Sequence, residues 1–145
     1  MPSLGFDLLD RHVVNGRGEE VACSDPTGTL SYAQLLERVA ALAGGLRVLD
    51  VAPGDEVAVS MGEGNPRVIA VCACVRLGAV PGDRGDVRIV ESPDGVTVEA
   101  AEDEYDLDFL MRVGKTDPAP SLPSDPPGYA EAVFENWPFL NAFAS

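Results

Sequence analysis

Apolar positions along this chain follow two rhythms, and the changes between them mark out its elements. From Ser31, Leu35, Leu36, Val39, Leu42, Ala43 and Leu46 recur at steps of three and four, which makes one apolar helical face. Ser31 and Gln34 stand at capping-box spacing at its start, and Gly44 and Gly45 are expected to weaken its last turn. Residues 4–14, "LGFDLLDRHVV", predict a shorter amphipathic helix with Ser3 as its cap. "EEVACSD" reads as a strand and "DPTG" as a turn. In "PGDEVAVSM", Val57, Ala58 and Val59 form a small apolar run, the mark of a strand covered on both faces. "GEGNP" follows, with Asn65 suited to an N-cap and Pro66 to the first helical position. The helix "PRVIAVCACVRL" stops at Gly78, and "AVP" gives a short strand.

The first 80 residues thus alternate strand, helix, strand, helix, strand, which predicts a parallel-containing α/β layer. The alternation then breaks. Only "PGDRGD" separates Val80 from "VRIVE", too few residues for a helical crossover. A hairpin of "VRIVE" with "VTVEA", turned at Pro93, Asp94 and Gly95, is predicted instead. "AEDEYDLDFLMRV" reads as a helix, with Tyr105, Phe109 and Val113 four apart and acidic residues at its N-terminal end. Residues 116–128, "TDPAPSLPSDPPG", form a Pro-rich linker with no core of its own. Residues 129–145 hold five of the nine aromatic side chains, so apolar surface returns after the linker. The fold class is α/β, a small mixed sheet with flanking helices, three-layered in part. An α/β domain is expected over 1–115, with a regularly alternating part over 1–80 and a divergent part over 81–115, then the linker and the aromatic segment.

Charge changes this picture most. The chain has 145 residues, 24 acidic against 10 basic, a net charge of −14, and Lys115 is its one lysine. Such a balance argues against nucleic acid and anionic lipid as partners, since both call for a basic footprint. An acid-rich, lysine-poor surface predicts a salt-adapted, halophilic protein that repels itself in low salt; the alternative is a GC-rich mesophile, whose codons also favour Arg over Lys. The longest apolar run, "VIAVCACV", is far short of a membrane span, and the N-terminus shows no signal-peptide pattern. Three cysteines with no metal-type spacing fit a reducing compartment, so a cytoplasmic location is expected.

The series "LSYAQLLERVAALAGGLRVLDVAPGDEVAV", "GEGNPR" and "IAVCACVRLGAV" resembles the N-terminal region of the AMP-dependent synthetase and ligase superfamily. That superfamily includes acyl-CoA synthetases, peptide-synthetase adenylation domains and luciferases. The matching signals are a Ser-Tyr helix start, a Pro-Gly-Asp turn, a Val-rich strand and a helix ending in Leu-Gly-Ala-Val. The resemblance covers about residues 28–80, and "DRHVVNGRGEEVACSD" sits where the family has its first helix and strand. It implies the family's N-terminal scaffold. The family's Ser/Thr/Gly-rich phosphate loop is not present, "PGDRGD" stands where a helix is expected, and the catalytic Lys domain would lie beyond residue 145. No functional residue carries over.

The remaining motifs have plain structural readings. "GKT" at 114–116 lacks the earlier Gly of a phosphate loop, because Phe109 stands there. Glu63 would repel an anion from the "GEGNP" helix start. Cys72 and Cys74, two apart on a helix, point in different directions, and Cys23 lies on a strand; all three read as inert thiols. His12 has no partner of catalytic pattern, "RGD" at 84–86 reads as a turn, and the acidic run 102–108 as a solvated helix face. No catalytic, cofactor-binding or metal-binding residue is expected. The feature singled out is the C-terminal segment, with Val133, Phe134, Trp137, Phe139, Leu140 and Phe143 as candidate partner- or dimer-docking residues. Its alternative role is coverage of the chain's own core. The expected function is a catalytically inactive, stand-alone relative of the acyl-CoA synthetases, acting as a binding or assembly module. The alternatives are the N-terminal subunit of a split synthetase, or a regulator that binds acyl or CoA-type ligands. The expected partner is a second copy or a synthetase-like chain.

Overall fold

A computed structural model describes residues 3–143. It opens with a π-helical turn, Phe6–Asp10, running into α1 (Arg11–Val14). Ser3 Oγ accepts from the Phe6 N–H, so Ser3 caps this segment as expected. β1 (Val21–Asp25) and β2 (Gly28–Ser31) follow as an antiparallel hairpin. This corrects the expectation that the first strand joins the main sheet. The two-residue turn at Pro26 and Thr27 folds β1 back onto 28–31, so its ladder is spent on its neighbour.

α2 (Tyr32–Val48) starts with the expected capping box: Ser31 Oγ accepts from Gln34 N–H, and Gln34 Oε1 from Ser31 N–H. Leu35, Val39, Leu42 and Leu46 are fully buried, while Leu36 is half-buried at the edge of that face. β3 (Glu56–Ser60) has Val57, Ala58 and Val59 all buried. α3 (Asn65–Arg76) ends at Gly78, which takes the left-handed conformation of a helix stop at φ 74°. β4 (Val80–Gly82), β5 (Val87–Ser92), β6 (Gly95–Ala100) and β7 (Asp103–Asp106) complete a five-stranded mixed sheet in the order β4-β3-β5-β6-β7. α4 (Leu107–Lys115) and α5 (Tyr129–Asn136) follow, and a 3-10 segment spans Pro138–Phe143.

The β5–β6 hairpin forms as expected, with Ser92 opposite Gly95. β5 also pairs parallel with β3, on the side opposite β4. No helix makes this crossing. Residues 83–86 pass directly over the β3 backbone, where a Cβ on Gly85 would lie 2.6 Å from the Glu56 carbonyl carbon and 2.9 Å from Val57 Cα. Only a residue without a side chain fits there.

The helix expected over 101–113 starts later. Residues 103–106 instead add an edge strand to β6, and the buried face of α4 is Leu107, Leu110 and Gly114. The two-residue turn at Ala101 and Glu102, with Ala101 at φ 55°, folds the acidic run back onto β6. Tyr105 and Phe109 still meet, their rings stacked 6.5 Å apart, but Phe109 is 45% exposed.

α2 continues through Gly44 and Gly45 to Val48. They let α4 approach it. A Cβ on Gly45 would sit 2.5 Å from the Leu110 carbonyl oxygen, and one on Gly114 would strike the Gly45 nitrogen at 2.5 Å. The segment between α4 and α5 has no regular secondary structure, and it is tied down along its length. Ala119 is buried, its N–H donates to the Ala40 carbonyl, and its own carbonyl accepts from Arg76 Nε. Asp125 accepts from the Leu4 N–H at 2.6 Å. Arg76 also forms a mostly buried ion pair with Asp10 at 2.6 Å.

Candidate functional site

A cleft of ≈ 720 Å³ lies between α2, the first turn of α3 and α4. Its volume is in the range of small-molecule sites. Ala41, Ile69 and Leu107 are nearly buried and form its floor with Met111. Arg38, Arg112 and Lys115 are exposed around it. Glu37, Asp106 and Asp108 line it too, but among the described residues none of the three cations makes an ion pair. A smaller chamber, lined by Thr27, Thr29 and Asn65, shares Arg38 and Pro66 with the cleft. The sequence hid this site because its cations lie on separate helices. The available signal was the three-residue spacing of Arg112 and Lys115, which puts two of few cations on one face of α4.

The start of α3 differs from its expected form. Asn65 is not the N-cap; Gly64 holds that position at φ 148°. The first N–H of the helix, from Asn65, is taken by the Asp25 carboxylate at 2.7 Å. Asp25 also accepts from the Thr27 hydroxyl and N–H. These bonds, the Thr27 side chain first and the Asn65 N–H next, hold the Asp25 carboxyl below the usual carboxylate range. A side chain from the β1–β2 turn therefore occupies the place where an external anion would bind. The Asn65 amide turns aside and donates to the Gly28 carbonyl.

The candidate docking residues lie against the chain's own body. Val133, Leu140 and Phe143 are buried, whereas Phe134, Trp137 and Phe139 are partly buried beside the core. Residues 144 and 145 of this segment lie outside the described residues. Trp137 Nε1 donates to the Pro81 carbonyl at 2.8 Å, and the Tyr129 hydroxyl to the Ala79 carbonyl. These side chains thus serve the β4 edge of the sheet. Arg67 on α3 lies over the rings of Trp137 and Phe139, at 5.8 and 5.1 Å.

His12 is buried. Its Nε2–H donates to the Phe143 carbonyl at 2.5 Å, which leaves Nδ1 to accept from Arg17 at 3.3 Å. Its ring lies 4.3 Å from that of Tyr32. Cys72 and Cys74 are buried, and burial pushes both thiols upward, that of Cys74 to about 12. Cys23 is likewise raised, chiefly by burial. Gly114 of "GKT" serves the α2–α4 crossing, and Gly85 of "RGD" serves the β3 crossing. Among the described residues no cluster of His, Cys, Asp and Glu is placed to hold a metal ion, and no helix is long and apolar enough to cross a membrane.

A profile of the AMP-binding enzyme family matches residues 10–81. The mitochondrial acyl-CoA synthetase short-chain family member 3 of Rattus norvegicus is 35% identical over 86 residues, covering 55% of this chain and 13% of that protein. An uncharacterized protein of Pseudomonas aeruginosa is 46% identical over 78 residues, 50% of this chain and 12% of the other. The acetyl-coenzyme A synthetase of Streptomyces coelicolor is 38% identical over 82 residues, 53% of this chain and 13% of that protein. The chain spans only those small shares of its relatives' length. Among solved structures, apo MatB from Rhodopseudomonas palustris superposes with a TM-score of 0.51 at 26% identity, over 57% of this chain and 17% of that one. The N-terminal subdomain of Klebsiella oxytoca NpsA does so with a TM-score of 0.50 at 22% identity, over 56% and 20%. The matched stretch takes in the β1–β2 hairpin, α2, β3, α3 and the start of β4, and over it this chain is similar to the N-terminal region of the AMP-binding enzymes and carries that part of their fold.

Proposed function

We propose that this chain is a binding and assembly module of acyl-CoA-synthetase-like descent that does not adenylate a substrate by itself. The observation that carries this reading is the placement of its reactive groups. The thiols of Cys72 and Cys74 are sealed in the core with raised pKa values, and His12 spends both ring nitrogens on structural partners. A nucleophile or general base has to reach its substrate, and these groups do not. The start of α3 is likewise filled by Asp25. Assembly is assigned to the aromatic segment, where the exposed parts of Phe134, Trp137 and Phe139 would meet a second copy or a synthetase-like chain. ATP–pyrophosphate exchange with acetate and propionate tests the first part. The purified chain is expected to stay at background, and exchange above it would refute the reading. Light scattering tests the second: a defined oligomer that dissociates on Trp137→Ala is expected, and a monomer at all concentrations would count against it.

A second reading makes the chain the N-terminal part of a ligase completed by another chain. It is favoured by the confinement of the family match to residues 10–81 and to 12–13% of the relatives' length. Restoration of exchange activity by a co-purifying synthetase-like chain would select it over the first.

A further inference from the structure

The C-terminal 3-10 segment is tied to the body of the molecule by the chain's one histidine. The bonding fixes which form of that histidine the fold accepts. His12 is buried in α1. Its Nε2 faces the Phe143 carbonyl at 2.5 Å, and its Nδ1 faces Arg17 Nη1 at 3.3 Å. A carbonyl only accepts and a guanidinium only donates. Nε2 therefore carries the hydrogen and Nδ1 keeps its lone pair, so the neutral ring, in one tautomer, satisfies both partners. Among the described residues the ring makes no other hydrogen bond or ion pair. Arg17 is held from two further sides: Glu20 pairs with it at 3.2 Å, and its guanidinium lies over the Tyr32 ring at 5.9 Å. The other titratable group packed on the histidine is Tyr32 itself, with ring centroids 4.3 Å apart. On the histidine's own segment Asp10 is spent on Arg76, and Arg11 is a further cation.

We infer that His12 is a pH-operated latch on residues 138–143, closed while its ring is neutral and released when the ring takes up a second proton. Protonation sets a new N–H and a positive charge against the Arg17 guanidinium, two donors 3.3 Å apart. Burial removes the water that would screen them. Relief comes when the ring reaches water, and the end of the 3-10 segment is what covers it at Nε2. Besides apolar packing, that end is held by the Phe143 carbonyl on His12 and by an edge-on contact of the Phe143 ring with Tyr32 at 6.3 Å. Upstream the chain has its own anchors, Trp137 Nε1 on the Pro81 carbonyl and the Tyr129 hydroxyl on the Ala79 carbonyl. α5 therefore stays in place when the residues from Pro138 onward lift. Leu140 and Phe143, both buried in the closed form, are then uncovered. Phe139, which meets the Trp137 ring edge-on at 6.3 Å, lifts with them. Mild acid thus controls how much apolar surface this segment presents. The latch rests on the fold alone and holds whether or not the segment docks a partner.

The chain has one histidine and one tryptophan, so each probe reports a single site. The test follows the His12 imidazole C–H signals by NMR and the acrylamide quenching of Trp137 fluorescence in the full chain. The range is about pH 8 to about pH 5.5, where histidines titrate and carboxylates of ordinary value ~4 stay charged. Quenching is expected to rise about twofold, as for a freed terminal segment, with the midpoint of the imidazole signals and with nearly constant far-UV circular dichroism. His12→Gln is expected to keep quenching flat, because an amide N–H can donate to the Phe143 carbonyl without taking up a proton. Arg17→Gln, at a partly exposed position, serves if that variant does not fold. It replaces the opposing cation by a group that can accept from Nδ1–H, and is expected to cut the rise in quenching by about half or more. Flat quenching in the parent, whether or not the imidazole titrates, would overturn the inference. So would a rise that persists unchanged in either variant, or one that accompanies loss of the circular dichroism signal. These readouts concern the single chain, so their failure leaves the exchange and light-scattering tests above untouched.

Discussion

At the scale of single residues, Asp25 illustrates a side chain whose role depends on what the chain brings to it. As a sequence element it is one acid before a Pro-Thr turn. In the fold its carboxylate joins that turn to the first N–H of α3, forty residues away. The same bonds make it pH-sensitive. Its folded-state pKa is lowered, so its stabilisation is complete above the ordinary carboxylate value of ~3.9 and is lost as pH falls through the lower folded-state value. Asp25→Asn is therefore expected to be less stable than the parent at neutral pH, and to lose less stability as acid is added. Urea midpoints at several pH values between neutral and acid check this. Parallel curves for the two proteins would show that the carboxylate's charge contributes nothing.

At the scale of elements, what was legible in the sequence was whatever depends on neighbours along the chain. The capping box at Ser31 and Gln34, the helix stop at Gly78 and the hairpin at 92–95 are local, and all three form. What was not legible depends on distant backbone. A helical period and an edge-strand pattern compete over 103–106, and pairing with β6 decides between them. The first turn of α3 reads as capped by Asn65 until Asp25 arrives from the hairpin. The candidate cleft was hidden for the same reason, since Arg38 and Arg112 meet only because α2 and α4 cross. Gly44 and Gly45, read as a weakness, are what permits that crossing. This yields a prediction with a sign. In a free helix Gly→Ala stabilises by roughly 1 kcal/mol. At Gly45, where a Cβ would sit 2.5 Å from the Leu110 carbonyl oxygen, overpacking dominates and Gly45→Ala is expected to cost about 1–3 kcal/mol. Denaturant unfolding decides it, and a stabilised Gly45→Ala protein would mean that the two helices do not pack this closely.

At the scale of the whole molecule, charge governs. Residues 91–145 carry 12 acidic and 2 basic side chains, and β7 with the turn before it gathers Glu102, Asp103, Glu104 and Asp106 at one sheet edge. Salt acts on this protein in two opposed ways. It screens the ion pairs, but those of Arg17, Arg47 and Arg84 are exposed and worth about 0–1 kcal/mol each. That of Arg76 with Asp10 is largely buried and is screened little. It also screens the mutual repulsion of the acidic excess, whose reach shrinks from ~10 Å at 0.1 M to ~3 Å at 1 M. With 24 acidic side chains against 10 basic ones, relief of repulsion wins. The melting temperature is expected to rise between these concentrations of sodium chloride, at roughly 2–4 °C for each 1 kcal/mol gained. A variant carrying Asp103→Asn, Glu104→Gln and Asp106→Asn separates charge screening from a general salt effect on apolar burial, because salts that strengthen burial act on both proteins alike. The variant is expected to start higher in low salt and to gain less. Equal slopes would assign the effect to burial, and a melting temperature flat in salt would remove the claim that this acidic surface is an adaptation to salt.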